Sequence, residues 1–269
     1  MAIDTATSNA GRRYTIPIHP DFYIPNSDFF RLLVWQMNSV ANYGYIASIG
    51  GSYGEFNTVQ IYNDPSNGLA CKIHTLGDSY AGGGALSAGV WYIGGLTRRG
   101  GNYYSLLCEL NDPEQVSEGS GVAISSGYLP SGTDMQFGLR SDLTSDATYA
   151  FNGRLSDAIF VNGFGLTQDD LVAIAAGKPL HEFDWWDRRA LHAHFKTSAV
   201  DGFMDLTGRH PVTRNGAGYG ANEIDPQRLI RSNRPESVEE LYFSIGGLSS
   251  GGGFNPAWAF GSNVIVGMQ

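Results

Sequence analysis

The chain has 269 residues, 36 of them glycine and 11 proline, with 12% aromatic and 16% charged residues and a formal net charge of −9. A chain of this size makes one large β domain or two small ones, and its acidity disfavours a surface for the phosphate backbone of nucleic acid. The basic clusters, Arg98-Arg99, Arg188-Arg189 and the series Arg228, Arg231 and Arg234, read as salt-bridged or solvated surface.

Residues 1–13 are small and polar, an arm with little to bury. They hold no apolar run of signal-peptide length, and no stretch of the chain is long and apolar enough to span a bilayer, so folding in a cytoplasm without a membrane partner is expected. Residues 14–225 carry strand patterns: short β-branched and aromatic runs between frequent turns. Cys71 and Cys108, the two cysteines, sit in such runs; they are too few for a disulfide scaffold and read as buried thiols.

Phe151–Gly177 is the most informative stretch. Leu155, Asp157, Ile159 and Val161 fall on one face of a period-two segment, with Ser156, Ala158 and Phe160 on the other. Asn162-Gly163 supplies a turn that tolerates positive φ. Thr167 followed by Asp170 predicts a capping box opening a short helix, with Leu171, Ile174 and Ala175 as its apolar face and Gly177 and Pro179 as its stop. Beyond Asp225-Pro226 the character changes. Ser237–Glu240 offers a second short helical pattern, Leu248–Gly253 reads as a flexible linker, and Phe254, Trp258, Phe260, Val264 and Val266 beyond it are apolar enough to need a dry surface. Residues 226–269 therefore read as a tail that docks on its own domain or on a neighbour.

The positions Phe151, Gly153, Leu155, Asp157, Asn162, Leu166, Thr167, Asp170, Leu171, Ile174 and Gly177 resemble the closing strand and helix of concanavalin A-like, laminin-G-like jelly rolls. Phe29–Trp35 resembles the first core strand of that family and Ala88–Gly95 its Trp-containing strand. Phe195, Asp205, Thr207, Gly208, His210, Val212 and Thr213 resemble a strand and turn found at the ends of such domains. The resemblance implies an all-β, concanavalin A-like jelly-roll sandwich over 14–225, with one short helix and extended N- and C-terminal arms. It is nearly silent on activity.

Catalytic patterns are sparse. Jelly-roll glycosidases that resemble laminarinases alternate carboxylates along one strand, with working carboxyls about 5 to 5.5 Å apart for a retaining mechanism. Here Glu109, Asp112 and Glu114 come nearest, but the Glu109 to Asp112 offset is odd and would place the two on opposite faces of an extended chain, and Pro113 breaks the ladder. His192 and His194 could share a strand face, yet a metal site needs further ligands; His181, Asp184 and Asp187 are candidates only through tertiary placement. Asp142, Asp146 and Asp157 have no calcium-loop spacing. No catalytic residue, metal site or cofactor is assigned, and the chain is expected not to be an enzyme.

Aromatic residues near turns are the remaining lead. Tyr43, Tyr45, Tyr53, Tyr103, Tyr104, Trp185 and Trp186 are candidate stacking partners for sugar rings, although the same residues could cap a sandwich or meet a subunit.

The two ends point elsewhere. Ala2, Ile3, Asp4, Thr5 and Ala6, and Asn255, Pro256, Ala257, Trp258, Ala259, Gly261, Ser262 and Asn263, resemble the termini of small structural proteins of tailed bacteriophages and prophages. The resemblance implies a non-enzymatic virion protein, made in the host cytoplasm and decorating the capsid or belonging to the tail. Its arms would anchor it to a capsid or tail protein as a homo-oligomer, and its rim loops would face solvent or a bacterial surface glycan. A carbohydrate-binding lectin is the alternative; a jelly-roll glycosidase fits least.

Overall fold

A computed structural model of the chain describes residues 3–4, 13–50, 58–73, 76–125, 127, 134–141, 143, 148–195, 203–211 and 213–215, all within one unit that runs Met1–Arg234. Their strands are β1 (Ile3–Asp4), β2 (Arg13–Ile16), β3 (Phe29–Met37), β4 (Gly44–Ile49), β5 (Val59–Asp64), β6 (Gly68–Ile73), β7 (Ser79–Ala81), β8 (Trp91–Arg99), β9 (Asn102–Glu109), β10 (Asp112–Glu118), β11 (Val122–Ala123), β12 (Met135–Phe137), β13 (Gly153–Asn162), β14 (Arg189–Phe195), β15 (Phe203–Asp205) and β16 (Thr213–Asn215). Two antiparallel sheets result. The first runs β10-β9-β8-β3-β13-β14-β15, with β1 added on β13 and β11 on β9; the second runs β16-β2-β12-β4-β5-β6-β7. One helix, α1 (Gln168–Ala175), joins β13 to β14. The described residues form the expected all-β sandwich with one short α-helix among them. The predicted helix at 237–240, the linker and the apolar tail residues lie outside the described residues.

The first sheet is buried on both faces, which is why β3, β8 and β13 read as nearly continuous apolar runs rather than as alternating ones. Its inner face, with Leu33, Trp35, Ala158 and Phe160, packs with Ile46, Ile61 and Phe137 of the second sheet. Its outer face, with Phe30, Leu32, Ile159 and Val161, is covered by Leu171 and Ile174 of α1 and by Leu180, Phe183 and Trp185 from the turns that follow.

One side-chain assignment changes. Leu155 pairs with Trp35 but Asp157 pairs with Val34, so Ser156 is an extra residue in β13. That bulge shifts the phase of the strand by one. Leu155 therefore joins Ala158 and Phe160 in the inter-sheet core, while Asp157, Ile159 and Val161 face the helix.

The helix ends follow the local sequence. Thr167 Oγ1 accepts from the Asp170 amide at 3.1 Å, and Asp170 Oδ2 accepts from the Thr167 amide at 3.0 Å, which closes the capping box. At the other end Gly177, at φ 91°, lets the Lys178 amide reach Ala173 O and its own amide reach Ile174 O, a Schellman stop. Asn162-Gly163 makes the predicted turn, with Gly163 at φ 80°. Both cysteines are buried and free; burial pushes the Cys71 thiol well up and the Cys108 thiol up to about 11.

Arg31 is the large cation of the interior. Its guanidinium donates to Phe30 O, Val161 O, Tyr23 O and Asn162 Oδ1 at 2.8–3.1 Å, between the rings of Phe29 and Phe160. Burial pulls its pKa down to about 9, against the opposing pull of Asp21. That value lies above neutral pH, so the group stays charged.

Candidate functional site: a tyrosine-lined hollow on the second sheet

The outward face of the second sheet carries a row of cross-strand partners. Tyr45 of β4 pairs with Tyr62 of β5, Tyr62 with Ala70 of β6, and Ala70 with Tyr80 of β7. Strands lie about 4.8 Å apart, so Tyr62 and Tyr80 flank Ala70 across roughly 10 Å. Tyr45, Tyr62 and Tyr80 of this row line a hollow, with Ala70 buried beneath them. Tyr43, Tyr149, Asp64 and Arg140 complete its wall, and the hollow holds about 310 Å³, at the small end of the range for ligand pockets.

Local sequence explains the placements. In β5, Val59 and Ile61 face the core, so Tyr62 and Asp64 face out by the period of two. In β4 a one-residue irregularity between Tyr45 and Ala47 lets Ile46, Ala47 and Ile49 all reach the core while Tyr45 turns outward. Tyr149 is held by the backbone, since the Tyr45 amide donates to its carbonyl at 3.2 Å.

The floor is rigid. Tyr45 and Tyr62 stack at 5.0 Å between centroids, Tyr149 meets Tyr45 edge-on at 5.9 Å, and the Arg140 guanidinium lies 4.3 Å from the Tyr149 ring centre. Tyr62 donates its hydroxyl to Asp78 at 3.0 Å. Asp64 Oδ1 accepts from the amides of Ser66 and Asn67 and from Asn67 Nδ2, which fixes the β5–β6 turn and leaves Oδ2 as the acceptor not committed to it. The rim is wet: Tyr43 is 45% and Tyr80 39% exposed. The hollow thus offers apolar ring faces, one carboxylate and one guanidinium, a set suited to a polyhydroxylated ring.

Of the residues singled out from the sequence, the structure brings together Tyr43 and Tyr45. Tyr53 lies outside the described residues. Tyr103 is buried between the sheets and donates its hydroxyl to Gly77 O, so it has no face to offer a ligand. Tyr104 lies on the first sheet under the Arg99 guanidinium. Trp185 is buried against Phe30 and Phe183, and Trp186 is nearly so, with the Arg189 guanidinium 3.4 Å from its ring centre. These two tryptophans stabilise the layer over the outer face of the first sheet. Tyr62, Asp64, Tyr80, Arg140 and Tyr149 were not foreseen. Tyr62 and Asp64 alternate with core residues in VQIYND, which is a signal for an outward face; the others are placed by register and by loops.

The two histidines of β14 and Asp157 of β13 meet on the first sheet. His192 and His194 do share a face, and Asp157 lies between them. His194 Nδ1 donates to Asp157 Oδ1 at 3.0 Å and His192 Nε2 approaches the same atom at 3.8 Å. Burial by itself would raise the Asp157 carboxyl, but the charge of His194 and the hydrogen bonds from both imidazoles outweigh it and hold the carboxyl well below the usual range. Arg189 Nη1 donates to His192 Nδ1 at 2.8 Å. This is a buried, paired cluster beneath Trp186. Asp142 and Asp146 lie outside the described residues. Glu109 and Asp112 face each other across the β9–β10 hairpin instead of lying on opposite faces of one strand, and Pro113 falls in the irregular stretch before pairing resumes at Val116.

No protein-family model and no curated protein matches the chain. Its fold does match solved structures. One is a candidate carbohydrate-binding protein of Bacteroides ovatus, at a TM-score of 0.56 and 16% identity; the alignment covers 80% of this chain and 59% of that one, so this chain spans less than two thirds of it. A heptameric SAP-like pentraxin of Limulus polyphemus aligns at 0.47 and 14%, over 79% and 93% of the two chains. The LG1–3 region of the laminin α2 chain aligns at 0.42 and 12%, over 63% and 32%. At these identities the likeness is one of fold: the chain has a concanavalin A-like jelly-roll fold.

Proposed function

We propose that this jelly roll is a non-catalytic carbohydrate-binding domain and that its ligand occupies the tyrosine-lined hollow. The carrying observation is the row Tyr45, Tyr62, Ala70 and Tyr80, walled by Asp64 and Arg140. A pyranose ring lies against a phenol face through its C–H groups, while its hydroxyls donate to Asp64 and accept from Arg140. Hydrolysis of a glycosidic bond needs two carboxyls flanking it, and among the described residues of the wall Asp64 is the one carboxylate. The fold shared with the Bacteroides ovatus protein supports this reading.

Binding of the purified chain to a broad glycan array, followed by calorimetry on any hit, tests it. Saturable binding that is lost in a Tyr43→Ala/Tyr80→Ala double variant is expected. Absence of saturable binding to any glycan, or binding indifferent to that double variant, overturns it.

A second reading concerns where such a domain is displayed. The resemblance of Ala2–Ala6 and Asn255–Asn263 to phage structural proteins favours a virion subunit. In it, 14–225 would be the displayed domain and 226–269 the tail that anchors it, through Phe254, Trp258, Phe260, Val264 and Val266, to a capsid or tail protein. Deleting 1–13 and 226–269 should then abolish co-sedimentation with particles; co-sedimentation that survives the deletion removes the anchoring role.

A further inference from the structure

We propose that His19, Asp21 and His210 form a binding site for a zinc-class divalent transition-metal ion, one that ties together the two connections that cross between the sheets on this side of the sandwich. His19 caps the single 3-10 turn Pro20–Phe22 in the connection from β2 to β3, and Asp21 lies in that turn. His210 comes from the connection between β15 and β16. Each of these connections leaves one sheet and enters the other.

The ligand atoms already converge. Asp21 Oδ2 is 3.2 Å from His210 Nε2 and 3.5 Å from His19 Nδ1, and all three atoms lie within 4.8 Å of one another. Bonds of about 2.0–2.2 Å in a tetrahedral site put neighbouring ligand atoms roughly 3.3–3.6 Å apart. A fourth oxygen is at hand. Ala190 is the extra residue where the pairing of β14 with β13 shifts register, and its carbonyl lies 3.0 Å from His210 Nε2. Two imidazoles with oxygen donors suit a zinc-class ion, whereas calcium and magnesium take oxygen alone.

Support for His210 is built in. Asp205, itself buried, accepts from the amides of His192, Thr207, Arg209 and His210 and from the Thr207 hydroxyl, so one carboxylate shapes the whole turn that presents the imidazole. The His210 ring packs 4.6 Å from Phe22 and 4.7 Å from His19. Without an ion, Nε2–H of His210 donates to Ala190 O, and His19 Nδ1 accepts from the Asp21 amide at 3.2 Å. Binding takes the other tautomer of His210, with the proton on Nδ1 instead of Nε2, and claims the His19 lone pair; His19 is half exposed and free to adjust. Arg209 Nη1, 3.9 Å from Asp21 Oδ2 on a side chain that is mostly exposed, is the competing cation.

Untagged full-length protein, stripped with chelator, is titrated with Co²⁺ and followed in the visible. The intense ligand-field absorption of a four-coordinate ion is expected to saturate at one equivalent, to bleach on addition of Zn²⁺ and to be accompanied by a higher melting temperature. His19→Ala and Asp21→Asn should weaken binding at least tenfold, and each should lose most of the rise in melting temperature that the ion gives the parent chain. Arg209→Ala should strengthen it several-fold. His181→Ala serves as the control and should change nothing. No saturating absorption, or absorption of equal strength in His19→Ala and Asp21→Asn, overturns the proposal.

Discussion

His194 donates to Asp157 at 3.0 Å across neighbouring strands of the first sheet, with both side chains almost wholly buried. The pair lies where the bulge at Ser156 has turned Asp157 toward the helix-covered face, so a carboxylate replaces an apolar residue in the layer that also holds Ile159 and Val161. Removing one partner of a buried pair leaves the other uncompensated and costs about 3–5 kcal/mol. Asp157→Ala is expected to lose stability on that order in urea unfolding at neutral pH; a loss under about 1 kcal/mol would show that the pair contributes little.

The same group sets an acid limb. Because the folded protein holds the Asp157 carboxyl below its ordinary value of about 3.9, the unfolded chain takes up the proton first as pH falls. Its contribution is therefore complete above about pH 5, begins to fall as pH passes through about 4 and continues to fall toward the folded-state value. Thermal unfolding scanned from pH 7 to 3 should show a shallower acid limb for Asp157→Asn than for the parent chain. Parallel limbs would assign the acid sensitivity to other carboxylates.

The two kinds of tyrosine in the hollow should separate in experiment. Tyr43 and Tyr80 at the rim can be truncated with little structural cost, and each is expected to weaken glycan binding by about 1 kcal/mol, roughly five- to tenfold, with an unchanged melting temperature. Tyr45 and Tyr62 form the buried floor, and truncating either should cost about 3 kcal/mol of stability as well. Calorimetry beside thermal melts on the four alanine variants checks this; equal melting temperatures in all four would contradict the floor-and-rim division.

Thr167 is expected to contribute about 1 kcal/mol through the capping box. Thr167→Ala should lower stability by that amount, with Thr167→Ser close to the parent. Because α1 covers Ile159 and Val161, hydrogen exchange should quicken in 168–176 before it does in the second sheet.

Deleting Ser156 would let β13 pair with β3 without interruption, with Leu155 still opposite Trp35 in the inter-sheet core and Asp157 still opposite Val34. It removes the Ser156 hydroxyl that donates to the buried Asp157 carboxylate at 2.5 Å, a loss of about 1–3 kcal/mol. Ser156→Ala keeps the extra residue but removes the same donor, so it should lose a similar amount. Urea unfolding of both variants checks this; parent-like stability in both would show that the Ser156 hydroxyl contributes little.

Composition and pattern by themselves determined the architecture of this chain. Short apolar runs between glycine-rich turns allow little besides an all-β fold, the resemblance carried by Phe151–Gly177 implied the sandwich, and Thr167, Asp170 and Gly177 define their helix because caps and stops act over three or four residues. The faces of β13 and the binding hollow were decided elsewhere. A period-two reading assumes an uninterrupted pleat, and the extra residues at Ser156 in β13 and between Tyr45 and Ala47 in β4 break it at places no local preference marks. Tyr45, Tyr62, Ala70 and Tyr80 become neighbours only through the pairing of four strands, and Arg140 and Tyr149 reach them from loops more than 50 residues farther along the chain. Trp185 and Trp186 read as surface aromatics beside a turn, yet they are interior because the first sheet needs a second apolar layer on its outer face. Local chemistry specifies where strands and helices begin and end; register and layer order specify which side chains meet, and these are properties of the folded chain.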